Sequence, residues 1–246
     1  MFAVGGAAIV CWRRTSELPW KWLWIGAGLW AVAGGLKVSC ALFLNPPVIK
    51  FLAREYSAPV LLVAGGAFLG FESAFFEIGL TCAAVAIWRH LGGDAGRATG
   101  VGAGAGAVEA VLLAIASLAA VAVCLSGTPA GAKVAEQMAK TAESTPLAWL
   151  VPPSERAIAL LCHTASRTLV LLGVTHGKPL LILCGWLLFT LIDGVARAFH
   201  LTGRIGQFSL WWIELALLPF ALISIPPLRW SWSQWPPVPL AAQGSA

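Results

Sequence analysis

Glu77, Glu109, His163 and Asp193 each stand inside a different stretch that otherwise reads as lipid-soluble. An ionised group at the centre of a bilayer costs at least ~2.5 kcal/mol. A chain that carries several of them must either pair them inside a bundle or use them. That choice governs every later reading of the sequence.

The membrane setting follows from composition. Of 246 residues, 59% are hydrophobic and 11% are charged, with a mean hydropathy of +0.82. Soluble domains carry about 25% charged residues. The expected fold class is all-α: a polytopic transmembrane bundle of about seven helices, forming one integral membrane domain over residues 1–246. Water-soluble enzyme classes and nucleic-acid partners are excluded. The net charge of +5 comes from 16 basic residues scattered mostly at the ends of apolar segments, where snorkelling and the positive-inside rule put them. Six cysteines (11, 40, 82, 124, 162 and 184) are spread singly with no CxxC pair, which argues against a disulfide framework or a zinc knuckle. Tryptophans cluster at segment ends, as at Trp20, Trp22 and Trp24 or Trp230, Trp232 and Trp235, and read as an interfacial belt.

The apolar segments set the topology. The first, about Phe2 to Trp12, is short of the roughly 20 residues a span needs. Further spans are expected at about Trp20–Leu44, Pro59–Trp88, Thr99–Ser126, Ala157–Val174, Pro179–Phe199 and Phe208–Ile225. The second stops before Asn45-Pro46-Pro47. Gly65, Gly66 and Gly70 make a small-residue face for close helix approach. Residues 127–156 read as an extramembrane loop with a short surface helix, where Glu136 and Lys140 stand i,i+4 in the favourable order. Pro152 and Pro153 are expected to end that loop structure. Residues 229–246 read as an irregular tail. With the N-terminus outside, Arg13, Arg14, Lys21, Arg89, Arg97, Lys178 and Arg229 fall in the cytoplasm, a slight positive-inside bias.

Helical spacing sorts the polar groups. Glu72 and Glu77 are five residues apart and face different ways, so they form no obvious carboxylate dyad. His163 and Arg167 are i,i+4 and share a face, as do Asp193 and Arg197. The pairing reading joins Arg167 to Glu109 or Glu77, and Asp193 to Arg197, as a buried polar network. The Gly102–Ala107 run would let a partner backbone or a ligand come close to Glu109. The functional reading takes Glu77 and Glu109 as catalytic carboxylates and His163 as a metal ligand. Zinc suits imidazole and carboxylates, although one histidine is thin for a catalytic site. A haem reading needs facing histidines, of which His163 and His200 are the conceivable pair. Lone Lys37 reads as a snorkelling or ion-paired lysine rather than a Schiff-base residue.

The order FFEIGLTCAAVAIWRH, GAGAGAVEAVLLA, SERAIALLCHTASRTLVLLGV, WLLFTLIDGVA resembles the YhfC-like family of intramembrane metalloproteases, relatives of the CAAX-processing membrane proteases. The earlier WIGAGLWAVAGGLKV also fits. The resemblance implies a Glu-Glu pair with an arginine three residues on; this chain has Phe76, Glu77 and Leu80. It implies a Gly-His-Gly turn before a glutamate; here Gly104, Ala105 and Gly106 precede Glu109. An ER pair and a histidine are matched by Glu155, Arg156 and His163. A histidine four residues before an aspartate is replaced by Phe189, with Asp193 kept.

These departures fall on the chemistry and leave His163 as the one nitrogen ligand of the motifs. The expectation is a degenerate member, without a cofactor, acting as an accessory or scaffolding subunit for membrane-protein partners or lipid. Its expected place is the bacterial inner membrane. The alternative is an active zinc peptidase using Glu77, Glu109 and His163. A weaker alternative is a cofactor- or pigment-binding subunit.

Overall fold

A computed structural model describes residues 1–203 and 208–235. Among the described residues, nine α-helices follow one another: α1 Phe2–Thr15, α2 Lys21–Phe43, α3 Asn45–Glu55, α4 Ala58–Ile87, α5 Ala95–Cys124, α6 Pro129–Ser144, α7 Val151–Thr175, α8 Pro179–Leu201 and α9 Trp211–Trp232. Short 3-10 turns at Arg89–Gly92 and Ala148–Leu150 precede α5 and α7. Among the described residues there is no strand, and six helices are long and apolar enough to cross a membrane: α2, α4, α5, α7 with its preceding turn, α8 and α9. The short first segment is a 14-residue helix packed on α5.

Several boundaries differ from the sequence reading, each for a local reason. Asn45-Pro46-Pro47 stops α2 but also starts α3, because proline is favoured in a first turn, where its missing N–H has no acceptor to lose. The same rule moves Pro152 and Pro153. They open α7 at Val151 and do not close the surface helix, which ends at Ser144. The loop is therefore shorter than 127–156, and Glu155 and Arg156 belong to a span. α5 starts at Ala95, four residues before Thr99, because the Asp94 side chain accepts from the Arg97 N–H at 2.8 Å and caps it. α9 runs through Pro219, Pro226 and Pro227 to Trp232, so the tail expected from 229 is helical for four more residues. The rest of that expectation, 236–246, lies outside the described residues.

The surface helix α6 carries the expected pair: Lys140 Nζ is 2.7 Å from Glu136 Oε1, and this contact holds the exposed carboxyl below its usual range. The tryptophans divide into two groups. Trp20, Trp24, Trp212 and Trp230 are exposed, as a belt requires. Trp12 and Trp235 are buried instead, and their indole N–H groups donate to the Gly96 and Gly92 carbonyls at 2.8 and 2.9 Å. All six cysteines are free thiols.

α7 is the most enclosed span, packed by α5, α8, α9 and α4, whereas the others give much of their surface to lipid. Apolar contacts surround it: Val170 with Ala74, Ile78 and Phe189 on one side, Ile158 and Cys162 with Ile192, Leu217 and Ala221 on another. Glycine makes these approaches possible. A Cβ on Gly104 would stand 2.1 Å from the Leu23 carbonyl of α2, and one on Gly70 would stand 2.2 Å from the Thr190 carbonyl of α8. The Gly–Ala run of α5 thus admits a partner backbone.

Gly70→Val is expected to loosen the α4–α8 contact by about 1–3 kcal/mol through overpacking. Gly28→Ala meets nothing within 4 Å and is expected to be neutral or stabilising; denaturant titration in mixed micelles compares the two. The seven basic residues Arg13, Arg14, Lys21, Arg89, Arg97, Lys178 and Arg229 sit at one end of the bundle. A reporter fused at the C-terminus, after the end of α9 that carries Arg229, is therefore expected to read in the cytoplasm.

Candidate functional site

α7 supplies three polar side chains to the middle of the bundle: Arg156, His163 and Arg167 are spaced seven and four residues apart and so share one face. Arg167 is 1% exposed, a burial that a guanidinium tolerates only with its donors engaged. Its Nη2 donates to Glu77 Oε2 of α4 at 2.8 Å, and its Nη1 donates to His163 Nδ1 at 2.9 Å. A guanidinium offers donors only. Nδ1 is therefore the acceptor, and the neutral ring carries its proton on Nε2.

Nε2 faces α5. It stands 3.1 Å from Glu109 Oε2, out of line for a hydrogen bond, and that oxygen is buried without a hydrogen-bond partner. The other oxygen, Oε1, accepts from Arg156 Nη1 at 2.7 Å. Arg156 also donates to Glu155 at 2.5 Å.

The other side of Glu77 is closed from α2. Lys37 Nζ donates to Glu77 Oε1 and to Ser73 Oγ, each at 2.7 Å, and stands 3.6 Å from Asp193 Oδ2 of α8. Ser73 passes its own hydroxyl proton toward Asp193 in a short hydrogen bond. The centre thus sets Lys37, Arg156 and Arg167 against Glu77, Glu109 and Asp193, with the half-buried Glu155 as a fourth carboxylate on Arg156 and His163 between them.

Phe189 completes the enclosure. Its ring is fully buried, 4.9 Å edge-on from the His163 ring, with the Arg167 guanidinium 5.3 Å above it. Ala105, on α5, is also fully buried. A cavity of about 30 Å³ runs beside Glu155, Arg156, His163 and Asp193, room for one or two water molecules. A larger apolar groove, about 490 Å³, lies between Phe199, Phe208, Trp212 and Leu215 and touches none of the charged groups.

Glu77, Glu109, His163, Arg167 and Asp193 therefore converge, as the pairing of buried charges requires. Arg167 takes Glu77, and Glu109 goes to Arg156. Asp193 does not pair with Arg197; that residue lies on the exposed face of α8, one turn away, while Asp193 faces Ser73 and Lys37. Glu72 stands apart, accepting from Asn45 Nδ2 at 3.0 Å. His200 is exposed in the last turn of α8. Two members of the centre were not legible as such. Arg156 looked like a loop residue because two prolines precede it, and Ser73 carries no charge to draw notice. Lys37 had a signal, a lone cation in an apolar helix, but not its partners.

Among the described residues, no three His, Cys, Asp or Glu side chains are grouped as a metal shell. Both oxygens of Glu77 are occupied by basic side chains and His163 Nε2 carries the ring proton, which leaves Glu109 Oε2 as a buried carboxylate oxygen of the centre without a hydrogen-bond partner among the described residues.

Arg167→Met is expected to destabilise the fold by about 3–5 kcal/mol, because it leaves Glu77 Oε2 buried without a partner and Lys37 to balance both Glu77 and Asp193. Adding Glu77→Gln should return part of that loss. A double-mutant cycle of unfolding in bicelles reads the coupling.

The family model described as YhfC intramembrane metalloprotease matches residues 1–215. Neither a curated protein nor a solved structure matches the chain.

Proposed function

The chain belongs to the YhfC intramembrane metalloprotease family, and from that premise we propose that it keeps the family's bundle without its hydrolytic chemistry. It acts as an accessory or scaffolding subunit in a bacterial inner membrane, binding other membrane proteins or lipid.

The family name implies a metal, and the donors of this chain do not fit one. A catalytic zinc needs three protein ligands and a position for water. Glu109 Oε2 is one, and His163 presents a protonated Nε2 because its Nδ1 accepts from Arg167. The observation that carries the reading is Phe189, whose buried ring lies against His163 where the resemblance implies a second imidazole. A phenyl ring cannot ligate, and it occupies the space beside the imidazole. Ala105 likewise offers no ligand. Binding has its own support: α2, α5 and α9 present exposed Leu36, Val38, Leu113, Leu118, Leu222 and Ile223 to whatever lies beside them in the membrane.

A second reading has one observation in its favour. Glu77, His163 and Glu109 come from three helices and touch in series, at 3.8 and 3.1 Å, which is the order an active zinc peptidase would use.

Membranes containing the full chain, incubated with a panel of tagged single-span substrates, are expected to show no cleavage above that of the His163→Ala variant. In-membrane crosslinking is expected to capture a stoichiometric second membrane protein or a retained lipid. Cleavage that His163→Ala abolishes, together with one zinc per purified chain, would establish the peptidase instead.

A further inference from the structure

We propose that Lys37 is a built-in cation: its ammonium fills an oxygen cage that would otherwise take a divalent metal ion, and so locks the centre shut. The inference deepens the non-hydrolytic reading and rests on it.

The oxygens of the cage come from two helices, and the lysine from a third. Glu77 Oε1 and Ser73 Oγ of α4 are each 2.7 Å from Nζ, and Asp193 Oδ2 of α8 is 3.6 Å away. An ammonium has three N–H donors and no acceptor, and three oxygens surround this one. Two of the three oxygens belong to carboxylates from different helices, and the third, Ser73, links to Asp193 by its own proton. Two carboxylates and a hydroxyl converging on one positive charge are the hard oxygen donors that suit Mg²⁺ or Mn²⁺. Lys37 stands on α2 and reaches the point across the helix interface, so the cation is supplied by a tether and not from solution.

Charge points the same way. Around Nζ the ammonium faces Glu77 and Asp193, with Arg167 on the far oxygen of Glu77, so two cations meet two anions. A divalent ion added beside Nζ would leave two excess positive charges in a low-dielectric interior. Removal of Nζ leaves Asp193 without a basic partner, and Glu77 with Arg167 alone. The Lys37 and Asp193 side chains are 20% and 24% exposed, so the position is reachable once the lysine is gone.

The cage also differs from the pair Glu109 and His163. It lies on the opposite side of Glu77, facing Oε1, whereas Arg167 and His163 face Oε2.

The test uses the full chain in detergent and Mn²⁺ as the probe, read by the paramagnetic signal of free against bound ion. Wild type is expected to bind no Mn²⁺. Lys37→Met should bind about one per chain through its all-oxygen set, and Lys37→Met with Asp193→Asn should bind none. Bound Mn²⁺ in wild type, or none in a folded Lys37→Met, overturns the proposal. Where Lys37→Met alone fails to fold, either adding Asp193→Asn or supplying Mn²⁺ should recover it, since each removes the surplus negative charge; failure of both overturns the proposal too. The same preparations are assayed for substrate cleavage. Cleavage by a wild type that takes up no Mn²⁺ removes the non-hydrolytic reading while leaving Lys37 as the cation of this cage.

Discussion

The ion pair between Arg167 and Glu77 holds the centre of the bundle together. Neither partner can be left alone in a medium of low dielectric, where an uncompensated charge is far more expensive than in water. Each is nearly without exposure, at 1% and 3%. Once Arg167 is fixed on Glu77, its second donor reaches His163 and sets the imidazole tautomer. The ring then points its other nitrogen at Glu109, which Arg156 holds from two turns of α7 further out. Lys37 neutralises what Arg167 does not. The whole centre is a chain of charge compensation that passes through a single helix.

Packing and electrostatics support each other here. Side chains of ordinary length bridge five helices because the backbones come unusually close, α5 to α2 at Gly104 and Gly26, α4 to α8 at Gly70 and Gly194. Lipid offers no hydrophobic drive for helices to associate. Close backbone contact and buried polar bonds must supply the specificity, and this chain uses both at adjoining levels. α7 carries the charges because it alone is enclosed on nearly every side.

The same arrangement separates fold from chemistry. A hydrolytic metal centre needs ligands with free lone pairs and a water beside them. Here the carboxylate oxygens of Glu77 are spent on Lys37 and Arg167, and the space beside the imidazole is filled by Phe189. Cations and anions that satisfy one another make a polar core. Such a core favours a fixed shape and leaves little charge free to polarise a substrate.

The all-helical, membrane-spanning architecture could be read from the sequence, because a hydrocarbon solvent admits few alternatives and the apolar runs of α2, α4, α5, α8 and α9 are long. So could the set of inward groups, since a charge in such a run must find a partner. Helix boundaries beside prolines were not legible: proline both ends and begins helices, and at 46–47 and 152–153 the first-turn role prevailed. Partner choice was not legible either. Asp193 and Arg197 share a helix face by spacing, yet Asp193 goes to Ser73 and Lys37. Local periodicity fixes which residues of one helix lie together. Which oxygen meets which cation depends on the rotation and approach of separate helices, and only their packing decides that.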